Sequence, residues 1–120
     1  MKLEKSSGGA ASNQKLLSAL GLCRKAGRLI CGTPLICEAL RSEGKRPYTV
    51  IMASDNSENT QKKLRDKCSF YGVELITPAL NGDQLSSAIG KSGRISAVAI
   101  TDENLCRLIM SAMKNEQKDS

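Results

Sequence analysis

Ile89-Gly90-Lys91-Ser92-Gly93-Arg94 places two cations on a glycine loop, which suits the holding of an anion. Two motifs come to mind and both fail on context. A Walker A loop needs a glycine with four residues between it and Gly90, but Leu85 stands there, and the segment runs from helix to strand rather than strand to helix. A GXXG clamp fits Gly90 to Gly93 in letters but joins two helices, whereas a strand follows here. The plain reading, a helix cap and a glycine loop, leaves Lys91 and Arg94 unexplained. The second such place is Gly27 to Arg41, which reads as a helix stop, a short apolar strand, a tight turn at Gly32-Thr33-Pro34 and the start of a helix. The Thr33 hydroxyl can cap that helix, and Pro34 suits the first helical position. A corner of this kind favours phosphate through free N–H groups and the positive helix end, with Arg28 beside it.

Other chemistries are poorly supplied. The chain has no histidine, so Ser-His-Asp and Cys-His catalysis and any imidazole metal site are excluded. Asp55, Asp83, Asp102 and Glu103 each read as a helix cap or first-turn acid; Asp55 with Glu58 resembles a capping box. The five cysteines, at 23, 31, 37, 68 and 106, lie in or beside apolar runs without a C-x-x-C pair and read as reduced, mostly buried thiols. The sequence thus points away from an enzyme, and no cofactor or metal is expected. Aromatics are limited to Tyr48, Phe70 and Tyr71, too few for a base-stacking sheet.

Eighteen Lys and Arg against twelve acids give a net charge of +6, which biases the chain towards polyanions such as nucleic acid. No apolar run approaches the roughly 20 residues of a membrane span. A soluble cytoplasmic protein with no membrane partner is expected.

The elements that position these residues follow from periodicity. Residues 1–12 are expected as a disordered N-terminal tail, 13–114 as a single α/β/α domain and 115–120 as a frayed C-terminal tail. From Ser12 or Asn13 a helix carries Leu16, Leu17, Leu20, Cys23 and Ala26 on one face, and Gly27 stops it. Leu29 to Cys31 is a short strand. The next helix sets Leu35, Ile36, Ala39 and Leu40 inward and ends at Gly44. Tyr48 to Ala53 reads as a central strand covered on both faces. A helix with Leu64, Cys68 and Tyr71 inward follows to Gly72, and Lys62, Lys63 and Arg65 lie outside. Then come a strand at Val73 to Thr77, a short helix with Leu85, Ala88 and Ile89, a strand at Ile95 to Thr101, and a last helix capped by Asp102 with Leu105, Leu108, Ile109 and Ala112 inward. This order predicts an α/β fold, a three-layer α/β/α sandwich with a central mixed sheet of about four strands.

Several runs together resemble a known family. They are Arg24 to Thr33, the strand ending Ala53-Ser54-Asp55, Lys67-Cys68 with Tyr71-Gly72-Val73, and Ile89-Gly90-Lys91 followed by Ala97 to Asp102. The chain is similar over about residues 14 to 112 to the ribosomal protein family that recognises kink-turn RNA, and most of all to its small bacterial YlxQ-like members. The resemblance implies an α/β/α sandwich and an RNA-binding edge made by the Gly32 corner and the Gly90 loop, with Arg28, Gly32, Thr33, Lys91, Ser92, Gly93 and Arg94 as its site residues. In kink-turn binders the corner reads Gly-x-Asn-Glu-x-x-Lys, whose Asn and Glu read guanine edges of tandem sheared G·A pairs. Here Pro34, Leu35 and Glu38 stand at the Asn, Glu and Lys positions.

The function expected is non-enzymatic, ribosome-associated docking of structured RNA, ribosomal RNA foremost, by backbone and basic contacts. Ribosomal or assembly proteins are further partners, and a monomer is expected. The alternative is a protein-interaction module on the same fold that has lost RNA binding.

Overall fold

Among the described residues, nine elements follow in strict alternation of helix and strand. The computed structural model describes the backbone of residues 3–119 and the side chains of residues 14–113. In order they are α1 (Leu3–Lys25), β1 (Leu29–Cys31), α2 (Thr33–Arg41), β2 (Thr49–Met52), α3 (Glu58–Tyr71), β3 (Glu74–Ile76), α4 (Gly82–Ala88), β4 (Ala97–Ile100) and α5 (Glu103–Asp119). The helix start expected at Ser12 or Asn13 is corrected, since the backbone of α1 is helical from Leu3; the side chains of the expected tails at 1–12 and 115–120 lie outside the described residues.

The sheet is mixed, in the order β1-β4-β2-β3. β4 runs antiparallel to both β1 and β2, and β2 runs parallel to β3. Three strands therefore point one way and β4 the other. The C-terminal ends of β1, β2 and β3 and the entry to β4 meet along one edge. This edge carries the turns that matter below.

β2 and β4 are buried at every position, as a central strand with helices on both faces requires. On one face Ile51, Val98 and Ile100 meet Leu16, Leu20 and Cys23 of α1, Leu85 of α4 and Ile109 of α5. On the other, Val50, Met52, Ala97 and Ala99 meet Ile36 and Leu40 of α2 and Leu64 and Cys68 of α3. The alternation of β4 between branched residues and alanines thus separates a three-helix layer from a two-helix layer that packs close to the strand.

Several local expectations need correction. α2 buries Ile36, Cys37 and Leu40, while Leu35 is 56% exposed at the helix start. In α1 the inward alanine is Ala19, and Ala26 lies in the exposed turn after the helix. α2 ends at Arg41 with Ser42 as its cap, ahead of Gly44. α3 is capped by Ser57, whose hydroxyl accepts from the Thr60 N–H at 3.3 Å, so Asp55 is released for a tertiary role. Gly27 and Gly72 adopt the left-handed conformation that ends their helices.

Candidate nucleic-acid interface

The Gly32 corner is built by the sheet as much as by its own residues. Gly32 has φ 94°, a region open to glycine, and its N–H donates to the Ala97 carbonyl at 2.9 Å. Thr33 does not cap α2. Its hydroxyl pairs with the Ser96 hydroxyl at 2.7 Å, because β4 enters the same sheet edge that β1 leaves. Pro34 does occupy the first turn of α2, as its fixed φ and missing N–H favour. The first helical bond is Ile36 N–H to the Gly32 carbonyl, so the N–H groups of Thr33 and Leu35 precede the intrahelical ladder.

β1 is an edge strand, and its pairing fixes which backbone groups face outward. The Arg28 carbonyl accepts from Thr101 N–H at 3.0 Å and Gly32 N–H donates to Ala97, so even-numbered residues face β4. By the alternation of antiparallel pairing, the N–H and C=O groups of Leu29 and Cys31 turn away from the sheet. They open onto a groove of roughly 660 Å³ between α2 and the Gly90 loop. Arg24, Lys45 and Lys91 supply its cations, and Leu35 and Glu38 its α2 wall. Burial raises the Cys31 thiol above its ordinary value, while Lys91 and then Arg24 pull the other way, which places the groove floor within the field of both cations.

Arg24 and Lys45 were not among the residues expected at the site. Arg24 reaches it because its guanidinium donates to the Ile89 carbonyl at 2.8 Å, tying the end of α1 to the end of α4. A basic last turn in a helix was the sequence signal, but nothing local indicates where the side chain goes.

The Gly90 loop is held from below. Ser86 Oγ donates to the Lys91 carbonyl at 2.6 Å and Lys91 N–H to the Ser86 carbonyl at 3.0 Å, which presents the exposed Lys91 side chain. Ser92 and Gly93 are exposed at the tip. Arg94 instead folds back along the protein surface. Its guanidinium donates to Asp55 and to Asn56 Oδ1, each at 2.8 Å, and it lies over Gly82, whose N–H donates to Asp55 at 3.0 Å. Chiefly through the Arg94 hydrogen bond, the Asp55 carboxyl is held below its ordinary value. Asp55 thus serves this knot rather than a capping box with Glu58.

Of the seven expected site residues, the structure brings Gly32, Thr33 and Lys91 around the corner and its groove, with Ser92 and Gly93 at the adjoining tip. Arg94 is committed to Asp55 and Asn56. Arg28 sits at the far end of β1, about 13 Å along the strand from Gly32 at ~3.3 Å per residue.

The buried thiols of Cys23 and Cys68 are held away from the reactive thiolate form. Burial pushes Cys23 and Cys68 up to about 11, and all five cysteines are free. Among the described residues no group of His, Cys, Asp and Glu could hold a metal ion, and no helix is long and apolar enough to cross a membrane.

The chain is thus an α/β protein whose mixed sheet ends in an edge strand flanked by cations and a helix start. Residues 14–109 match the ribosomal protein L7Ae/L30e/S12e/Gadd45 family, and the chain belongs to it. It is similar to the RNA-binding protein YlxQ of Enterococcus faecium, 36% identical over 90 residues that cover 72% of this chain and 82% of the relative. The RNA-binding protein YlxQ of Bacillus subtilis (strain 168) is 30% identical over 102 residues, 85% of this chain and 98% of that one. Among solved structures, a protein with unknown function from Bacillus halodurans C superposes with a TM-score of 0.74 at 30% identity, covering 82% of this chain and 96% of its own. The Giardia lamblia 15.5kD RNA binding protein shares the fold, with a TM-score of 0.65 at 17% identity over 90% of this chain and 89% of its own.

Proposed function

We propose that this chain is a non-enzymatic RNA-binding protein of the cytoplasm that docks structured ribosomal RNA through the Gly32 corner and the groove beside β1. The observation that carries the reading is the coincidence of three cations, Arg24, Lys45 and Lys91, with the outward backbone groups of an edge strand. Phosphate contacts from such cations position a nucleic acid, and backbone donors and acceptors recognise shape with little sequence information. The names of the two YlxQ relatives support RNA as the ligand class.

Kink-turn recognition is a weaker fit to these residues. Leu35 and Glu38, which line the groove, take the places of a base-reading Glu and a cationic Lys, and Pro34 takes that of the Asn. Each lost bidentate base contact removes roughly 1–3 kcal/mol of discrimination. Binding by shape and charge is therefore the reading adopted.

Titration with deproteinised bacterial ribosomal RNA across a salt series tests it. The three cations of this groove contribute about −2 to −3 to the slope of log K against log salt. Undetectable or salt-independent binding refutes the reading. The exposure of Leu35 at the corner favours a second reading, a protein-interaction module. Under that reading, nuclease treatment would leave the protein in its native complexes.

A further inference from the structure

A second groove opens on the other side of the same corner. It lies between α2 and α3, measures roughly 440 Å³, and is lined by Thr33, Pro34, Arg41, Thr60, Lys63 and Lys67 among others. No acid lines it. Among the described residues the ion pairs are Lys62–Asp66, Arg94–Asp55 and Arg107–Glu103, so Arg41, Lys63 and Lys67 face the groove without a carboxylate partner.

The topology explains why these groups gather. β1 and β2 both run opposite to β4, so α2 and α3 leave the same sheet edge and run side by side in one direction. Their first turns, near Thr33 and Thr60, form the mouth of the groove at the Gly32 corner. Lys63 and Lys67 then follow one helical turn apart, with Arg41 opposite at the end of α2. Two like charges at i and i+4 weaken an isolated helix by a few tenths of a kcal/mol. Lys62, on the same helix, is paired with Asp66 at 3.0 Å.

We propose that this α2–α3 groove, through Arg41, Lys63 and Lys67, is a second phosphate-backbone contact for an RNA strand that continues past the Gly32 corner. The proposal rests on the RNA reading above and extends its footprint to a surface outside the β1 groove. The occupant follows from charge: three unpaired cations in a groove that begins at Thr33 and Pro34 match a polyanion already held at that corner. Lys63 and Lys67, about 5–6 Å apart at Cβ, can serve successive phosphates.

The test compares the wild-type chain with Lys63→Gln/Lys67→Gln, Lys63→Arg/Lys67→Arg and the control Lys62→Gln, each titrated with deproteinised bacterial ribosomal RNA across a potassium chloride series. The Gln pair should lower the magnitude of the log–log slope by about 1.4–1.8, two contacts' worth, and weaken binding at every salt concentration. The Arg pair should retain the wild-type slope, and Lys62→Gln should leave it unchanged. Wild-type binding with no slope difference between the Gln pair and Lys62→Gln overturns the groove and leaves the RNA reading standing. An equal slope loss in Lys62→Gln also overturns it, since the effect is then general charge. No binding by the wild-type chain overturns both.

Discussion

Gly82→Ala separates what local helix preference says from what the tertiary structure imposes. At an unobstructed helical position, alanine in place of glycine gains roughly 0.5–1 kcal/mol through reduced backbone freedom. At Gly82 the added Cβ meets Arg94, with Nε at 2.8 Å, Cζ at 3.0 Å and Cγ closer still. Cγ is near the root of the side chain and cannot yield by a rotation at the tip alone. Arg94 must therefore leave its place, and two consequences follow. The Asp55 carboxylate loses its guanidinium, and the Oδ1 of Asn56, a residue only 7% exposed, loses its donor. Leaving a buried acceptor unsatisfied costs about 1–3 kcal/mol, which outweighs the helix gain. The expected net effect is a loss of about 1–2 kcal/mol, a drop in Tm of ~4–8 °C for a domain of this size. Urea and thermal unfolding of four proteins measure it: wild type, Gly82→Ala, Arg94→Ala and the double variant. In the Arg94→Ala background the obstruction is gone, so Gly82→Ala should become neutral or stabilising by up to about 1 kcal/mol. A Gly82→Ala variant as stable as wild type, or a loss of the same size in both backgrounds, would refute the reasoning.

Two further outcomes are expected. Because the Asp55 carboxyl is held below its ordinary value, its stabilisation is complete above that value and is lost as pH falls through the lower folded one. Asp55→Asn should thus be less stable than wild type at neutral pH, with the gap in urea midpoint closing below about pH 4; a gap that persists at lower pH would exclude the Arg94 pairing as its source. Replacing Pro34, Leu35 and Glu38 by Asn, Glu and Lys should create selective affinity for a kink-turn hairpin over a plain duplex of equal length, each base contact adding roughly 1–3 kcal/mol of discrimination. Equal binding of the two RNAs would show that the corner does not face the base edges.

The elements themselves were legible because each is decided by neighbours a few residues away. The apolar run of β2 announced a strand buried on both faces, Gly27 and Gly72 announced left-handed helix ends, and Asp102 accepts from Leu105 N–H at 3.0 Å as the cap its position suggested. The same local logic misled at Thr33 and Asp55. Both are good caps by composition, yet each found a partner far along the chain, Ser96 for Thr33 and Arg94 for Asp55. Cap propensity is worth about 1 kcal/mol, small enough for a tertiary hydrogen bond to override.

The sequence by itself determined the alternation of helices and strands, the two-faced core and the presence of a cation-rich glycine corner. Only the tertiary structure decided what that corner is made of. The strand order β1-β4-β2-β3 puts β1 at an edge, with its outward backbone groups unpaired by any strand. It sends Arg28 to one end of that strand and Gly32 to the other, and commits Arg94 to Asp55 and Asn56. It also brings Arg24 and Lys45 to Lys91, and Lys63 and Lys67 to Arg41. Periodicity records which face of an element is buried, since that depends on the angle between successive side chains. Which faces then meet depends on strand direction and order, which residues 60 positions apart do not encode in their spacing.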